Sequence, residues 1–195
     1  MFLLFANTVI SPDESLSRIT VTFISSSSTL ASAGVRIYNS LSILDIGTGS
    51  GCIAISLAKS LPHAKVFAID VSEKALETAK RNASKNNVEV TFLLKNILET
   101  EDLEQHFDII VSNPPYVRNL EKVEIKKNVL EFEPHLALFV EDNDALVFYR
   151  KISDLSQKNL SVNGQLYFEI NQYFGSEMID LLELKNFQDI ELRKD

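Results

Sequence analysis

The chain has 195 residues, enough to bury one good core, and a single domain is the default reading of that length. Its 45% hydrophobic and 24% charged content is that of an ordinary soluble globular protein, and a net charge of -8 argues against a partner held mainly through phosphates. One cysteine, Cys52, excludes an internal disulfide, and three scattered histidines give no metal-ligand spacing. No apolar run is long enough to span a bilayer, no signal peptide is evident, and a reducing cytoplasm fits.

Residues 1–42 differ from the rest. They hold only four charged residues, Asp13, Glu14, Arg18 and Arg36, no lysine, and the serine run Ser25 to Ser28. Ile19 to Ile24 alternates like an edge strand, but the segment as a whole reads as a poorly packed N-terminal extension. Composition shifts at Ile43, where Ile43 to Ile46 form a short apolar run leading into Gly47-Thr48-Gly49-Ser50-Gly51-Cys52. This is strand, glycine-rich turn, then helix. Alternate glycines let the backbone turn sharply and approach a ligand, and the following helix presents unpaired N–H groups. A Walker loop is excluded because no lysine appears before Lys59, and G-x-G-x-G fits the dinucleotide fingerprint poorly.

Ile53, Ala54, Leu57, Ala58 and Leu61 recur at helical spacing before Pro62, and Lys65 to Ile69 make a second strand. That strand delivers Asp70, 19 residues beyond Gly51. An acid ~20 residues on can accept hydrogen bonds from ribose hydroxyls. Capping the next helix is the competing role, and Ser72 is at hand for it. A helix over about Glu73 to Lys85 stops at Asn86-Asn87, a third strand covers Val88 to Leu94, and Asn96-Ile97 follow it. Phe107 to Val111 is a fourth, nearly all-apolar strand of the kind buried in a parallel sheet.

It runs into Ser112-Asn113-Pro114-Pro115-Tyr116. Pro114 restricts Asn113 to an extended conformation, and neither proline donates a backbone hydrogen bond. The loop is therefore stiff and rich in acceptors. Asn113 supplies a side-chain carbonyl, Pro114 a backbone carbonyl and Tyr116 an aromatic wall, a combination suited to a planar NH2 group. An amide nitrogen is a poor nucleophile because its lone pair is delocalised, so two acceptors that fix its plane and aim that lone pair supply catalysis by positioning. Strands alternating with helices predict a doubly wound α/β sheet, with both motifs at the carboxyl ends of the strands.

The first motif, Asp45 to Cys52, resembles that of the Rossmann-like class I methyltransferases that bind S-adenosyl-L-methionine. Together with Asp70, Ser112 to Tyr116, Glu131 to Leu138 and Tyr167 to Ile170, it resembles the bacterial peptide chain release factor glutamine methyltransferases, from about Ile43 onward. That resemblance implies methyl transfer to the side-chain amide of the glutamine in a release factor's Gly-Gly-Gln loop, leaving S-adenosyl-L-homocysteine. It implies cofactor contacts from Asp45, Gly47, Thr48, Gly49, Ser50, Gly51, Asp70, Asn96, Ile97 and Asn113. Asn96 stands where relatives often carry an acid. Asn113, Pro114, Pro115 and Tyr116 would hold the substrate amide, with Asn113, Pro114 and Tyr116 catalytic; no metal is implied. The Asn-Pro-Pro-Tyr loop is shared with DNA adenine and ribosomal RNA guanine methyltransferases, and Glu131 to Leu138 tip the reading to a protein substrate.

Val117 to Lys127 reads as a charged surface lid or solvated connection, Ala145 to Leu160 as a helix, Asn163-Gly164 as a turn and Gln165 to Ile170 as a fifth strand. A helix near Ser176 to Leu184 and a strand near Gln188 to Leu192 follow, with Tyr173 and Phe174 expected in the core. Relatives carry a helical N-terminal domain and a final antiparallel strand. Against that pattern the chain reads as a catalytic domain, 43–195, truncated at its C-terminus, behind a segment, 1–42, foreign to the family. A non-catalytic cofactor-binding fragment is the rival reading of this polypeptide.

Overall fold

The computed structural model describes residues 16–22, 41–115, 117–118, 139–140 and 144–194. The principal sheet has seven strands: β1 (Leu16–Thr22), β2 (Ser42–Ile46), β3 (Lys65–Asp70), β4 (Thr91–Leu94), β5 (Phe107–Ser112), β8 (Leu160–Asn171) and β9 (Gln188–Lys194). Their spatial order is β4-β3-β2-β5-β8-β1-β9. β6 (Val117–Arg118) and β7 (Phe139–Val140) form a separate parallel pair. The helices are α1 (Cys52–Ser60), α2 (Glu73–Asn86), α3 (Val147–Asn159) and α4 (Gly175–Leu184).

β4, β3, β2, β5 and β8 pair in parallel. Because a parallel crossover is right-handed, α1 and α2, which lead outward from β2 to β4, cover one face, and α3, which leads from β5 to β8, covers the other. The core follows that division. Ala54, Leu57 and Ala58 of α1 pack on Ile43, Val66 and Ala68. Tyr149, Ile152 and Leu155 of α3 and Met178 and Leu182 of α4 pack on Leu44, Ile46, Ile110, Leu166, Phe168 and Ile170. Each valine, leucine, isoleucine, phenylalanine or methionine among them contributes roughly 1.5–3 kcal/mol on burial. The fully buried Tyr149 sits edge-on to Phe168, ring centres 5.2 Å apart, and its hydroxyl donates to the Glu169 carbonyl at 3.0 Å, so its one polar atom is satisfied in the interior.

The helix stops match the sequence. Ser72 caps α2 by accepting from the Ala75 N–H at 3.2 Å, and Asn87 ends it in the left-handed conformation, φ 54. Three expectations shift. β4 begins at Thr91 rather than Val88. Asn163-Gly164 is not a turn between elements but lies inside the long β8, where the register jumps from Phe107↔Leu160 to Ile109↔Gln165 and Asn163 takes φ 63, so the turn residues are absorbed as a bulge. Phe174 joins the core as expected, but Tyr173 is 63% exposed at the carboxyl end of β8. The short 3-10 turn Gln172–Phe174 points these two neighbours in different directions.

β1 is the largest departure. The alternation at Ile19 to Ile24 does mark a strand, but Leu16–Thr22 lies inside the sheet, antiparallel to β8 (Leu16↔Asn171 through Thr22↔Gln165) and to β9 (Ser17↔Lys194 through Thr22↔Gln188). The antiparallel strand expected to be lacking from the sheet is thus supplied by the N-terminal segment. Thr22 ends opposite Gln165, on the edge of the sheet where β2 begins, and reaching β2 from there crosses three strand spacings, about 14 Å. Thr22 and Ser42 therefore both lie at the amino edge of the parallel strands, away from their carboxyl ends.

Since β1 pairs on both sides, any lost N–H in its middle strands a carbonyl in a neighbour. Ile19→Pro is expected to cost at least about 2 kcal/mol, or roughly 5 °C in Tm, measured by thermal unfolding. A Tm equal to that of the wild type would mean the strand contributes nothing to the sheet.

Candidate active site

Three strand ends are level at the carboxyl edge: Ile46 of β2 is in register with Ile69 of β3 and with Ser112 of β5. The turn 47–51, Asp70 and Asn113 therefore emerge side by side. The turn is laced to β3. Gly47 and Thr48 donate their N–H groups to the Ile69 carbonyl at 2.9 and 3.0 Å, and Gly49 donates to Asp70 Oδ2 at 2.8 Å. Asp70 Oδ1 accepts from Ser72 N–H at 2.8 Å, while the Ser72 hydroxyl does the helix capping. From α2, Asn82 Nδ2 donates to the Ser50 carbonyl at 2.9 Å, a tie that sequence spacing did not reveal.

Gly47, Gly49 and Gly51 all have positive φ, at 74, 55 and 85 degrees, but for different reasons. A Cβ on Gly51 would sit 3.0 Å from Ala79 Cβ and 3.0 Å from Ile55 Cδ1, so this glycine exists to let α1 and α2 close together. A Cβ on Gly47 or Gly49 would meet nothing within 4 Å. Those two line open space at the mouth of the site, where bare backbone admits a ligand.

Beneath the turn lies Asp45, 1% exposed. Its Oδ2 accepts the Thr48 hydroxyl at 2.6 Å and the Ala54 N–H at 3.2 Å, pinning the turn to the first turn of α1. Thr48 itself is 8% exposed. Asp45 Oδ1 has no hydrogen-bond partner among the described residues. Burial pushes the Asp45 carboxyl up to about 6, against the opposing pull of its bonds from Thr48 and Ala54.

Asn113 is exposed, Pro114 buried and Pro115 half-buried, so the acceptor loop is anchored by a proline while its amide stands at the surface. Tyr116, most of Val117 to Lys127, and Glu131 to Leu138 lie outside the described residues. After β4, Asn96 Oδ1 accepts from the Leu98 N–H at 3.1 Å and so shapes a short turn, while the Ile97 side chain is buried in the core. Two apolar residues that the motifs do not include stand open here: Val71, immediately after Asp70, is 49% exposed, and Leu98 is 38% exposed. The only signal for Val71 was an apolar residue extending past the strand's end.

The chain matches the methyltransferase small domain family over residues 26–136, more than half of its length. It belongs to that family. The chain is 74% identical over 155 residues to the release factor glutamine methyltransferase of Flavobacterium psychrophilum, covering 80% of this chain and 54% of that protein. It is 51% identical over 154 residues to the release factor glutamine methyltransferase of Bacteroides thetaiotaomicron, covering 78% and 55%. The chain spans about half the length of these curated relatives. Among solved structures it superposes on ribosomal protein L11 methylase from Lactobacillus delbrueckii subsp. bulgaricus with TM-score 0.54 and 20% identity, covering 78% of this chain and 63% of that one, a likeness of fold. The fold is that of the Rossmann-like class I methyltransferases.

Two measurements separate the roles within the turn. Gly51→Ala combines left-handed strain with overpacking and is expected to cost about 3 kcal/mol, whereas Gly47→Ala carries only the strain, about 1 kcal/mol. Denaturant unfolding of both variants reads the difference, and equal costs would deny Gly51 its packing role. Asp45 gives a pH signature. Its folded-state pKa lies above the unfolded value of 3.8, so the folded protein binds the proton more tightly. Its contribution favours folding most below pH 3.8 and is lost as pH rises through about 6, a slope opposite to that of a salt-bridged carboxylate. Asp45→Asn is expected to flatten the stability profile between pH 4 and 7, and an unchanged slope would place the titration elsewhere.

Proposed function

We propose that this chain is the catalytic part of an S-adenosyl-L-methionine-dependent methyltransferase that modifies the side-chain amide of a protein glutamine, that in the Gly-Gly-Gln loop of a peptide chain release factor. The observation that supports the reading is the shared level of Ile46, Ile69 and Ser112, which brings the glycine turn, Asp70 and Asn113 to one edge. The names of the relatives, release factor glutamine methyltransferases, support a release factor as the substrate.

The residues fit the cofactor. Bare backbone at Gly47 and Gly49 admits it, Asp70 at the end of β3 would hold its ribose hydroxyls, and Val71 and Leu98 would offer apolar surface to its base. Asp45 and Thr48 would act from below by fixing the turn, and Asn96 and Ile97 by shaping the loop after β4. When bound, the cofactor supplies a methyl group activated by a sulfonium.

The chain's own task is to present the nitrogen. The Asn113 side-chain carbonyl and the Pro114 backbone carbonyl would accept the two N–H bonds of the glutamine amide, fixing its plane and aiming its lone pair. As the nitrogen gives up its lone pair to the methyl carbon it gains positive charge, the same two oxygens stabilise that charge, and the nitrogen then releases one proton to water to leave the neutral N-methyl amide. Pro115 stiffens the loop and Tyr116 would stack on the amide plane. The catalytic unit takes in residues 43–195 together with β1, which fills its sheet. The protein substrate is favoured over a nucleic acid by the net charge of -8.

Titration calorimetry with S-adenosyl-L-homocysteine tests the site, and transfer of labelled methyl groups tests the substrate. Saturable binding is expected, weakened at least about 10-fold by Asp70→Ala, the loss of a hydrogen bond to a charged group. Asn113→Ala is expected to weaken binding a few-fold but to cut transfer to a release factor by about 100-fold or more. Label on ribosomal RNA or DNA instead would replace the substrate, and binding without any transfer would mark a cofactor-binding fragment.

A further inference from the structure

One buried polar side chain joins the two halves of this site without touching cofactor or substrate in the proposed transfer. Ser112 is 1% exposed, and its hydroxyl donates to the Ile46 carbonyl at 2.7 Å. Ile46 is the last residue of β2, directly before Gly47, and Ser112 is the last residue of β5, directly before Asn113. Beyond this pair, which also ends the β2–β5 ladder, the backbone of the two motifs offers few donors. Pro114 and Pro115 have no N–H, and the first two N–H groups of the turn are given to Ile69 on the other side. Among the described residues, no other hydrogen bond links 47–51 to 113–115.

Nor is the bond required to set the register of β2 against β5. That is fixed by the parallel ladder and, at the opposite end of β2, by Asp108 Oδ2 accepting the Ser42 N–H at 2.8 Å. We infer that Ser112 is a positioning residue that sets the separation between the methyl-donor turn and the amide-orienting loop. This rests on the transfer chemistry proposed above. Reacting atoms must be held about 3–3.5 Å apart, and a displacement of about 1 Å costs on the order of 100-fold. A hydroxyl bonded to the carbonyl that begins the donor turn, on the residue that begins the acceptor loop, controls that displacement directly.

The test compares Ser112→Ala with Ser112→Thr, which keeps the hydroxyl. Ser112→Ala is expected to lower kcat for release factor methylation about 10-fold or more while KM for the cofactor stays within about 3-fold, and Ser112→Thr to recover most of kcat. A kcat for Ser112→Ala within about twofold of wild type overturns the inference, as does a fall in kcat matched by an equal rise in cofactor KM. Because the threonine methyl enters a buried position, a second measurement stands beside it. S-adenosyl-L-homocysteine affinities of Ser112→Ala, Asn113→Ala and the double variant form a cycle that needs no methyl transfer. Coupling well beyond about twofold supports positioning, and additivity within that limit overturns it. A wild type that binds the product but transfers nothing to a release factor refutes the substrate reading alone, and the cycle still decides Ser112. A wild type that binds nothing refutes both.

Discussion

The parallel register of β2 with β3 on one side and β5 on the other governs everything functional in this structure. Ile46, Ile69 and Ser112 lie at one level, and strands about 4.8 Å apart bring loops separated by more than 60 residues of sequence side by side. Parallel strands require crossovers, and right-handed crossovers send α1 and α2 to one face and α3 to the other. Among the described residues, these helices lie on the faces of the sheet and not across its carboxyl edge. Two hydrophobic layers then hold the edge rigid, one under α1 and the other, the larger, under α3 and α4.

On that frame the glycine turn is built from below and bounded from the side. Asp45 holds a carboxylate where the interior disfavours charge, with one oxygen engaged by Thr48 and Ala54 and the other without a hydrogen-bond partner among the described residues. Such a group stabilises the turn's shape while weakening the fold, a combination characteristic of functional sites. The glycines divide the labour further. Gly51 permits helix packing, and Gly47 and Gly49 keep the mouth open.

The far side of the sheet shows how a parallel core accommodates an antiparallel strand from the N-terminal segment. β8 and β9 flank one strand position, and β1 fills it antiparallel to both. An antiparallel strand needs no crossover over the face of the sheet, so a segment from the beginning of the chain can enter this position without disturbing the parallel strands that carry the site. What the position requires is a run of backbone able to pair on two sides, and the Leu16–Thr22 segment, poor in charge and rich in β-branched residues, meets that requirement.

Most of the site is legible in the amino-acid sequence alone. Glycine spacing after an apolar run, an acid at the next strand's end and an Asn-Pro-Pro loop after a third are local patterns, and local patterns dictate turns, caps and strand ends directly. Ser72 as the cap of α2 and Asn87 as its stop belong to the same class. Tertiary structure alone decided the rest, because each remaining feature is a meeting of residues distant in sequence. That Gly51 is a packing glycine depends on Ala79; that the buried Ser112 hydroxyl has a partner depends on the Ile46 carbonyl. Tyr173 and Phe174 have similar side chains and adjacent positions, yet only the core beneath α4 determines that one is buried and the other exposed. The same holds for β1, whose alternation announced a strand but whose place inside the sheet depended on an opening between β8 and β9 that no local sequence pattern encodes.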